Sequence, residues 1–193
     1  SLHFAAIAKE RSPILRDHGL MPGGFALATV HRDNNTDDPA RLNSIFRTLL
    51  LLHERHGLDI VLPVHPRTRK MMDALLAPDV KDSLDQSPRF LIVPPAGFLD
   101  MIALESNARL VITDSGGVQK EAYFFGKPGV VLRPETEWVE LVREGQAVLA
   151  DADPERITVG FENFLQNGIP EVASLFGDGH AAERICDELL RTW

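Results

Sequence analysis

Apolar positions along the chain follow two alternating rhythms. Short runs that are apolar almost throughout, such as VLPV, LVIT and GVVLR, have the composition of parallel strands covered on both faces. Six such runs are read as strands: Phe25–His31, Asp59–Val64, Phe90–Pro95, Arg109–Asp114, Gly129–Arg133 and Ala147–Ala150. Longer segments between them carry helical spacing. Leu42, Ile45, Phe46, Leu49 and Leu50 line one face after Asp38-Pro39, a capping residue followed by proline at the first helical position. Further helices are expected at Leu2–His18, Thr68–Leu76, Phe98–Asn107, Gly116–Phe124, Glu135–Glu144, Pro154–Gln166 and His180–Arg191, most bounded by glycine or proline. Strands alternating with helices predict a doubly wound α/β domain with a parallel sheet, whose ligands collect beyond the carboxyl ends of the strands.

Composition narrows the function. With 193 residues, 44% apolar and 25% charged, the chain can bury a core, and disordered or low-complexity readings fail. Twenty basic residues against twenty-eight acidic ones leave a net charge of −8 with no basic cluster, which argues against nucleic acid as a partner. The single cysteine, Cys186, excludes an internal disulfide framework and a thiolate metal site, and fits a reducing cytoplasm. No apolar run approaches the roughly 18 to 20 residues of a membrane span. The start SLHFAAIAKER is charged too early for a secretory signal, and Ser1 in place of an initiator methionine fits a fragment.

Polar residues follow four of the strands: His31-Arg32-Asp33-Asn34-Asn35, His65-Pro66-Arg67-Thr68, Thr113-Asp114-Ser115-Gly116-Gly117 and Arg133-Pro134-Glu135-Thr136-Glu137. In the third, LVIT runs into Ser-Gly-Gly and then into a helix. Gly116 and Gly117 allow close backbone approach, and the free amides of the first helical turn suit an anion such as phosphate, with the Ser115 hydroxyl beside them. Glu121, four residues after Gly117, lies one turn further on nearly the same face. A diphosphate on the amides would leave its ribose near that carboxylate, as acidic residues hold ribose in dinucleotide folds. The plain alternative is a tight turn followed by a solvated glutamate. Two His-plus-Arg pairs at corresponding strand ends, His31-Arg32 and His65 with Arg67, point to an anionic site. His3, His18, His53, His56 and His180 read as solvated surface residues, and Asp37-Asp38 as helix capping. A serine hydrolase built on Ser115 is rejected, because no Gly-x-Ser-x-Gly elbow is present and the pattern is not that of paired β-barrels.

The block TDSGGVQKEAYFFGKPGVVLR, the TE-x-x-E that follows, and the HR-x-x-N, HPRT and FGDGHAAERI segments resemble the C-terminal half of non-hydrolysing UDP-N-acetylglucosamine 2-epimerases, over nearly the whole chain. The resemblance implies a GT-B architecture of two Rossmann-like domains. Residues 1–193 would be a single UDP-binding domain, with the N-terminal partner domain absent and the isolated chain close to inactive. It also implies interconversion of UDP-GlcNAc and UDP-ManNAc by elimination and re-addition of UDP, with neither metal nor redox cofactor, in a homodimer. Matching positions assign Ser115, Gly116, Gly117, Glu121, Arg133 and Met101 to UDP, His31 to the active site near the diphosphate, and Arg32 with His65 to an activator site. The chain departs from the pattern at Asn34, where the family commonly has glutamate, and at Trp138, where many members direct an arginine at the nucleotide. Trp138 would instead stack on a sugar or base. A hydrolysing relative that releases free sugar, a GT-B glycosyltransferase and a binding module without chemistry stand as alternatives.

Overall fold

The computed structural model describes residues 1–177 and 179–191. The strands are β1 (Phe25–Thr29), β2 (Asp59–Pro63), β3 (Phe90–Val93), β4 (Leu110–Thr113), β5 (Gly129–Val131) and β6 (Ala147–Leu149). The helices are α1 (Leu2–Arg11), α2 (Ile14–Asp17), α3 (Asp33–Thr36), α4 (Pro39–His56), α5 (Pro66–Leu75), α6 (Pro78–Gln86), α7 (Phe98–Asn107), α8 (Gly116–Phe124), α9 (Val139–Arg143), α10 (Pro154–Asn167) and α11 (Ala181–Arg191). All strand pairs are parallel, in the order β3-β2-β1-β4-β5-β6, which is the Rossmann order. Successive strands are added to one side of β1 as far as β3 and to its other side from β4 onward, so the order of addition switches between β1 and β4 and a crevice opens there at the carboxyl edge of the sheet.

The apolar runs bury both faces with a period of two. Ala26, Ala28, Ile60, Leu62, Leu110 and Ile112 point to one layer, where they meet Leu42, Phe46 and Leu49 of α4 and Phe161 of α10. Their neighbours Phe25, Leu27, Val61 and Val111 point to the other, against Ile102 and Leu104 of α7 and Ala122 of α8. Asp38 caps α4 as expected, accepting from the amides of Ala40 and Arg41, and Gly57 closes the helix in the left-handed region at φ 61°.

The sequence-based elements stand with shifted edges. Each strand stops one to two residues short of its expected end. The expected Leu2–His18 helix breaks into α1 and α2, since Pro13 forces Ser12 into extended backbone (φ −84°, ψ 123°). The helix expected from Glu135 begins only at Val139. Two helices, α3 and α6, were not expected; α6 buries only Val80 and Leu84, too short a stripe to read as periodicity. His53 and His56 are not solvated as expected: His53 Nδ1 lies 2.9 Å from the Leu58 carbonyl with its ring edge-on to Phe90, and His56 packs on Phe161.

Helix α10 crosses the sheet closely at Gly160, where a Cβ would stand 2.6 Å from Val148 Cγ2. Gly160→Leu is therefore expected to lower stability by about 1–3 kcal/mol through overpacking, seen as a lower urea midpoint at unchanged slope.

Candidate functional site

Four loops meet at the carboxyl edge, and a buried carboxylate ties two of them together. Asp114, fully buried just beyond β4, accepts the amides of His31 (3.0 Å) and Arg32 (3.0 Å) and the Asn35 side-chain amide (3.1 Å). It also accepts from His31 Nδ1 at 2.9 Å. Asn35 reaches on to the Leu132 carbonyl at 2.9 Å, and Arg32 Nε donates to the Asp114 carbonyl at 3.0 Å. The polar loop after β1 is thus folded around one charge. Burial alone pushes the Asp114 carboxyl up, but donation from His31, the Arg32 amide and Asn35 outweighs it and holds the group below the usual carboxylate range. The same contact, opposed by partial burial, raises His31 above its ordinary value. Because Asp114 accepts from Nδ1, that nitrogen carries the proton and Nε2 is left for a ligand, as in catalytic pairs where a carboxylate orients imidazole.

Beside this pair, β4 runs into the first turn of α8. The Ser115 amide donates to Thr113 Oγ1 at 2.9 Å, and Ser115 Oγ accepts from the Val118 amide at 3.4 Å, capping the helix. The amides of Gly116 and Gly117 have no partner among the described residues, and they carry the positive end of the helix dipole. The two glycines serve different ends. A Cβ at Gly117 would meet only Ser115 Oγ, at 3.8 Å, so the space over the turn is open. A Cβ at Gly116 would fall 2.0 Å from Glu137 Oε1, so a side chain there would displace the Glu137 carboxylate from its place over the turn.

That loop is pinned from several sides. Trp138 Nε1 donates to the Gly116 carbonyl at 2.7 Å, and the indole face lies 4.3 Å from Lys120 Nζ, which also sits 4.6 Å from the Phe176 ring. Thr136 Oγ1 donates to Gln119 Oε1 at 2.6 Å, and Arg133 pairs with Glu137 at 2.6 Å. Trp138 is therefore engaged in holding α8, with Lys120 over its ring and Phe176 edge-on to it.

A cavity of about 420 Å³, within the range of small-molecule sites, opens above these groups. His31, His65, Arg67, Ala96, Met101 and Ser115 line it. His65 also caps α5, Nδ1 accepting from the Arg67 amide at 3.3 Å. Arg67 pairs with Asp37 (2.7 Å) and Asp33 (3.0 Å), which ties α5 to the loop after β1 and gives Asp37 a partner other than the helix end. Of the residues singled out in the sequence, the structure brings His31, His65, Met101 and Ser115 to one cavity, with Gly116 and Gly117 adjoining. Arg32 is turned back to the Asp114 carbonyl and Arg133 to Glu137. Glu121 lies a turn deeper along α8, accepting from Ser1 Oγ at 2.9 Å. The closing FGDGHAAERI segment includes Asp178, which lies outside the described residues. No cluster of three or more metal-ligating side chains occurs among the described residues, and no helix is long and apolar enough to cross a membrane.

Sequence reasoning gave no role to Asp114, Asn35 or Glu105, although Asp114 and Asn35 stood in its polar stretches after strands. An aspartate followed by Ser-Gly-Gly gives no sign of burial; the signal lay in its position directly after an all-apolar strand.

Comparison with known proteins identifies the family and the fold. The chain is 44% identical over 169 residues to a Pseudomonas aeruginosa UDP-2,3-diacetamido-2,3-dideoxy-D-glucuronate 2-epimerase, covering 87% of the chain and 45% of the relative. It is 34% identical over 161 residues to a Methanococcus maripaludis UDP-N-acetylglucosamine 2-epimerase, covering 83% and 43%. The Methanocaldococcus jannaschii UDP-GlcNAc 2-epimerase, solved in complex with UDP-GlcNAc and UDP, superposes with a TM-score of 0.84 at 31% identity, covering 98% of this chain and 51% of that one. The chain thus spans about half the length of the relatives it matches. The family model for UDP-N-acetylglucosamine 2-epimerase matches residues 2–190, and the chain belongs to that family.

Proposed function

We propose that the chain is the C-terminal, nucleotide-binding half of a UDP-sugar 2-epimerase. In this reading a UDP-2-acetamido sugar lies in the crevice above β1 and β4, its diphosphate on the open amides of Gly116 and Gly117 and the Ser115 hydroxyl. Glu121 receives the ribose hydroxyls, Met101 borders the base, and His31 Nε2 faces the diphosphate. The observation that carries the reading is the alignment of the open helix turn with the Asp114-oriented His31 on one cavity wall. In the reaction the C2 proton is lost as the bond from the anomeric carbon to UDP breaks, leaving a C1–C2 double bond; return of UDP to C1 and of a proton to the opposite face of C2 gives the epimer. The half described here supplies what the departing diphosphate needs: amide donors, a hydroxyl and an imidazole that can donate. Arg32 and His65 are left for a second, activating nucleotide sugar, and Arg133 acts on UDP through Glu137 and the α8 turn.

The partner domain would lie N-terminal to this chain. The span of half a relative supports this, as do exposed apolar side chains on α1 and α7, with Leu2 64%, Phe4 40% and Phe98 57% exposed. We place the reaction in the cytoplasm and the assembled enzyme in a homodimer. The 44% identical relative favours a second substrate reading, a UDP-2,3-diacetamido uronate in place of UDP-GlcNAc.

Two measurements test the site. Gly117→Val fills open space without a clash, so the fold should persist while UDP affinity in calorimetric titration falls by about tenfold or more, the scale of losing hydrogen bonds to a charged group. Unchanged affinity would remove the diphosphate from α8. Asp114→Asn deletes the charge beside His31, and the imidazole, which should titrate above 6.5 in the wild type, should then titrate lower in a proton NMR series. The sign also fixes the stability trend: what the pair contributes through the raised histidine is complete below that group's unfolded value and fades as pH rises through its folded one.

A third measurement separates the chemistries. Product analysis on the two-domain protein, offered UDP-GlcNAc and the UDP-diacetamido uronate in parallel, should yield the C2 epimer of one of them as an intact UDP-sugar. Stoichiometric release of free sugar would instead establish hydrolysis, and a requirement for an acceptor would establish glycosyl transfer.

A further inference from the structure

Three acidic side chains are buried among the described residues: Asp59, Glu105 and Asp114. Asp114 gathers donors from the loop after β1, and Asp59 is paired with Arg89. Glu105, near the end of α7 and only 1% exposed, has no such neighbour: its Oε2 is enclosed with no hydrogen-bond partner. It faces Glu121 across the contact between α7 and α8, within hydrogen-bonding reach of that side chain. Two carboxylates so placed repel. The contact bonds only when one of them holds a proton, and the buried one is the group that burial favours in neutral form.

We propose that Glu105 is a positioning residue for the nucleotide: its carboxylic acid donates to Glu121 and fixes the carboxylate that receives the ribose hydroxyls. The inference rests on the ribose reading of Glu121 given above. A carboxylate on a flexible side chain would otherwise sample several rotamers and lose entropy on meeting the ribose. With acceptor directions taken by Glu105 and by the Ser1 hydroxyl, which donates to Glu121 Oε1 at 2.9 Å, its remaining lone pairs are held toward the ligand. A neutral Glu105 also spares the diphosphate a second negative charge nearby.

Protonation of Glu105 has support in its surroundings. Burial foremost, then the charge of Glu121 and the hydrogen bond to it, push its carboxyl up to about 8. The Ser1 amino group on α1 acts weakly in the other direction, and α2, the remaining helix on α7, contributes no charge to it. Were the Ser1 nitrogen a peptide nitrogen, the proton would be held more firmly still. The device therefore acts at neutral pH and fails in mild alkali, where a second carboxylate drives Glu121 out of position.

Calorimetric titration of the chain with UDP and with 2′,3′-dideoxyuridine diphosphate, between pH 7 and pH 9, tests the proposal. In the wild type, UDP affinity should fall by about tenfold across that range, the scale of one hydrogen bond to a charged group, while the dideoxy analogue changes little. Glu105→Gln can still donate and cannot ionise, so it should bind UDP as the wild type does at pH 7 and stay flat to pH 9, which also controls for titration of the uracil. Glu105→Leu should bind UDP about tenfold more weakly at pH 7 with no loss for the analogue. Wild-type affinity and pH profile in Glu105→Leu, alongside weakened UDP binding by Glu121→Gln, would overturn the role of Glu105 alone. Equal binding of UDP and its dideoxy analogue by the wild type, unaltered in Glu121→Gln, would overturn the ribose reading and this proposal with it. A loss in Glu105→Leu that extends equally to the analogue would mark a structural role only, and would also overturn it.

Discussion

The carboxylate of Asp114 is the constraint on which the site depends. A charge without solvent access needs donors, and the chain supplies them from a loop some eighty residues earlier: the amides of His31 and Arg32 and the side chain of Asn35. Because those donors are mostly backbone, satisfying Asp114 fixes the path of the chain after β1, and with it the place of the His31 ring. Parallel pairing of β1 with β4, Thr29 opposite Thr113, brings the two segments side by side in register. The strand order thus does more than shape the core. It puts the acceptor and its donors at the carboxyl edge, where the strand order switches between β1 and β4.

The α8 turn is held in the same manner from the opposite side. Gly116 lacks a side chain where Glu137 enters, and Trp138 grasps the Gly116 carbonyl while Lys120 covers the indole. This arrangement leaves the amides of Gly116 and Gly117 facing outward, since every restraint on the turn comes through its carbonyl, its capping serine or its flank. Trp138, at a position where the pattern the sequence resembles often has arginine, thus holds this loop through a hydrogen bond and a cation–π contact rather than through a bidentate charge pair.

Much of this was legible in the sequence, for reasons that can be named. All six strands were apolar runs interrupted by turn residues, and the Asp38-Pro39 start of α4 announced itself through its cap and its apolar face. Ser115, Gly116 and Gly117 could be placed because a strand leading through glycines into a helix has few other geometries. What escaped was whatever depended on contacts distant in the chain. Nothing local to Arg32 reveals that its Nε donates to the Asp114 carbonyl, eighty-two residues on. Trp138 read as a stacking surface, and nothing local to it reveals Lys120 and Phe176 around its ring. Helix α6 escaped because a helix lying on the rim needs only two apolar contacts.

Asp114 and Glu105 show why residue type alone could not have assigned the acids. Both are carboxyl groups withdrawn from water, and burial presses each toward its neutral form. Around Asp114 the fold presents N–H donors, which stabilise the anion and keep it charged. Around Glu105 it presents another carboxylate, which rewards the proton. Hydrogen-bond donors decide the charge in one case and an acceptor decides it in the other. Asp114 thus keeps its charge beside the His31 imidazole, while Glu105 meets the Glu121 carboxylate across the contact between α7 and α8.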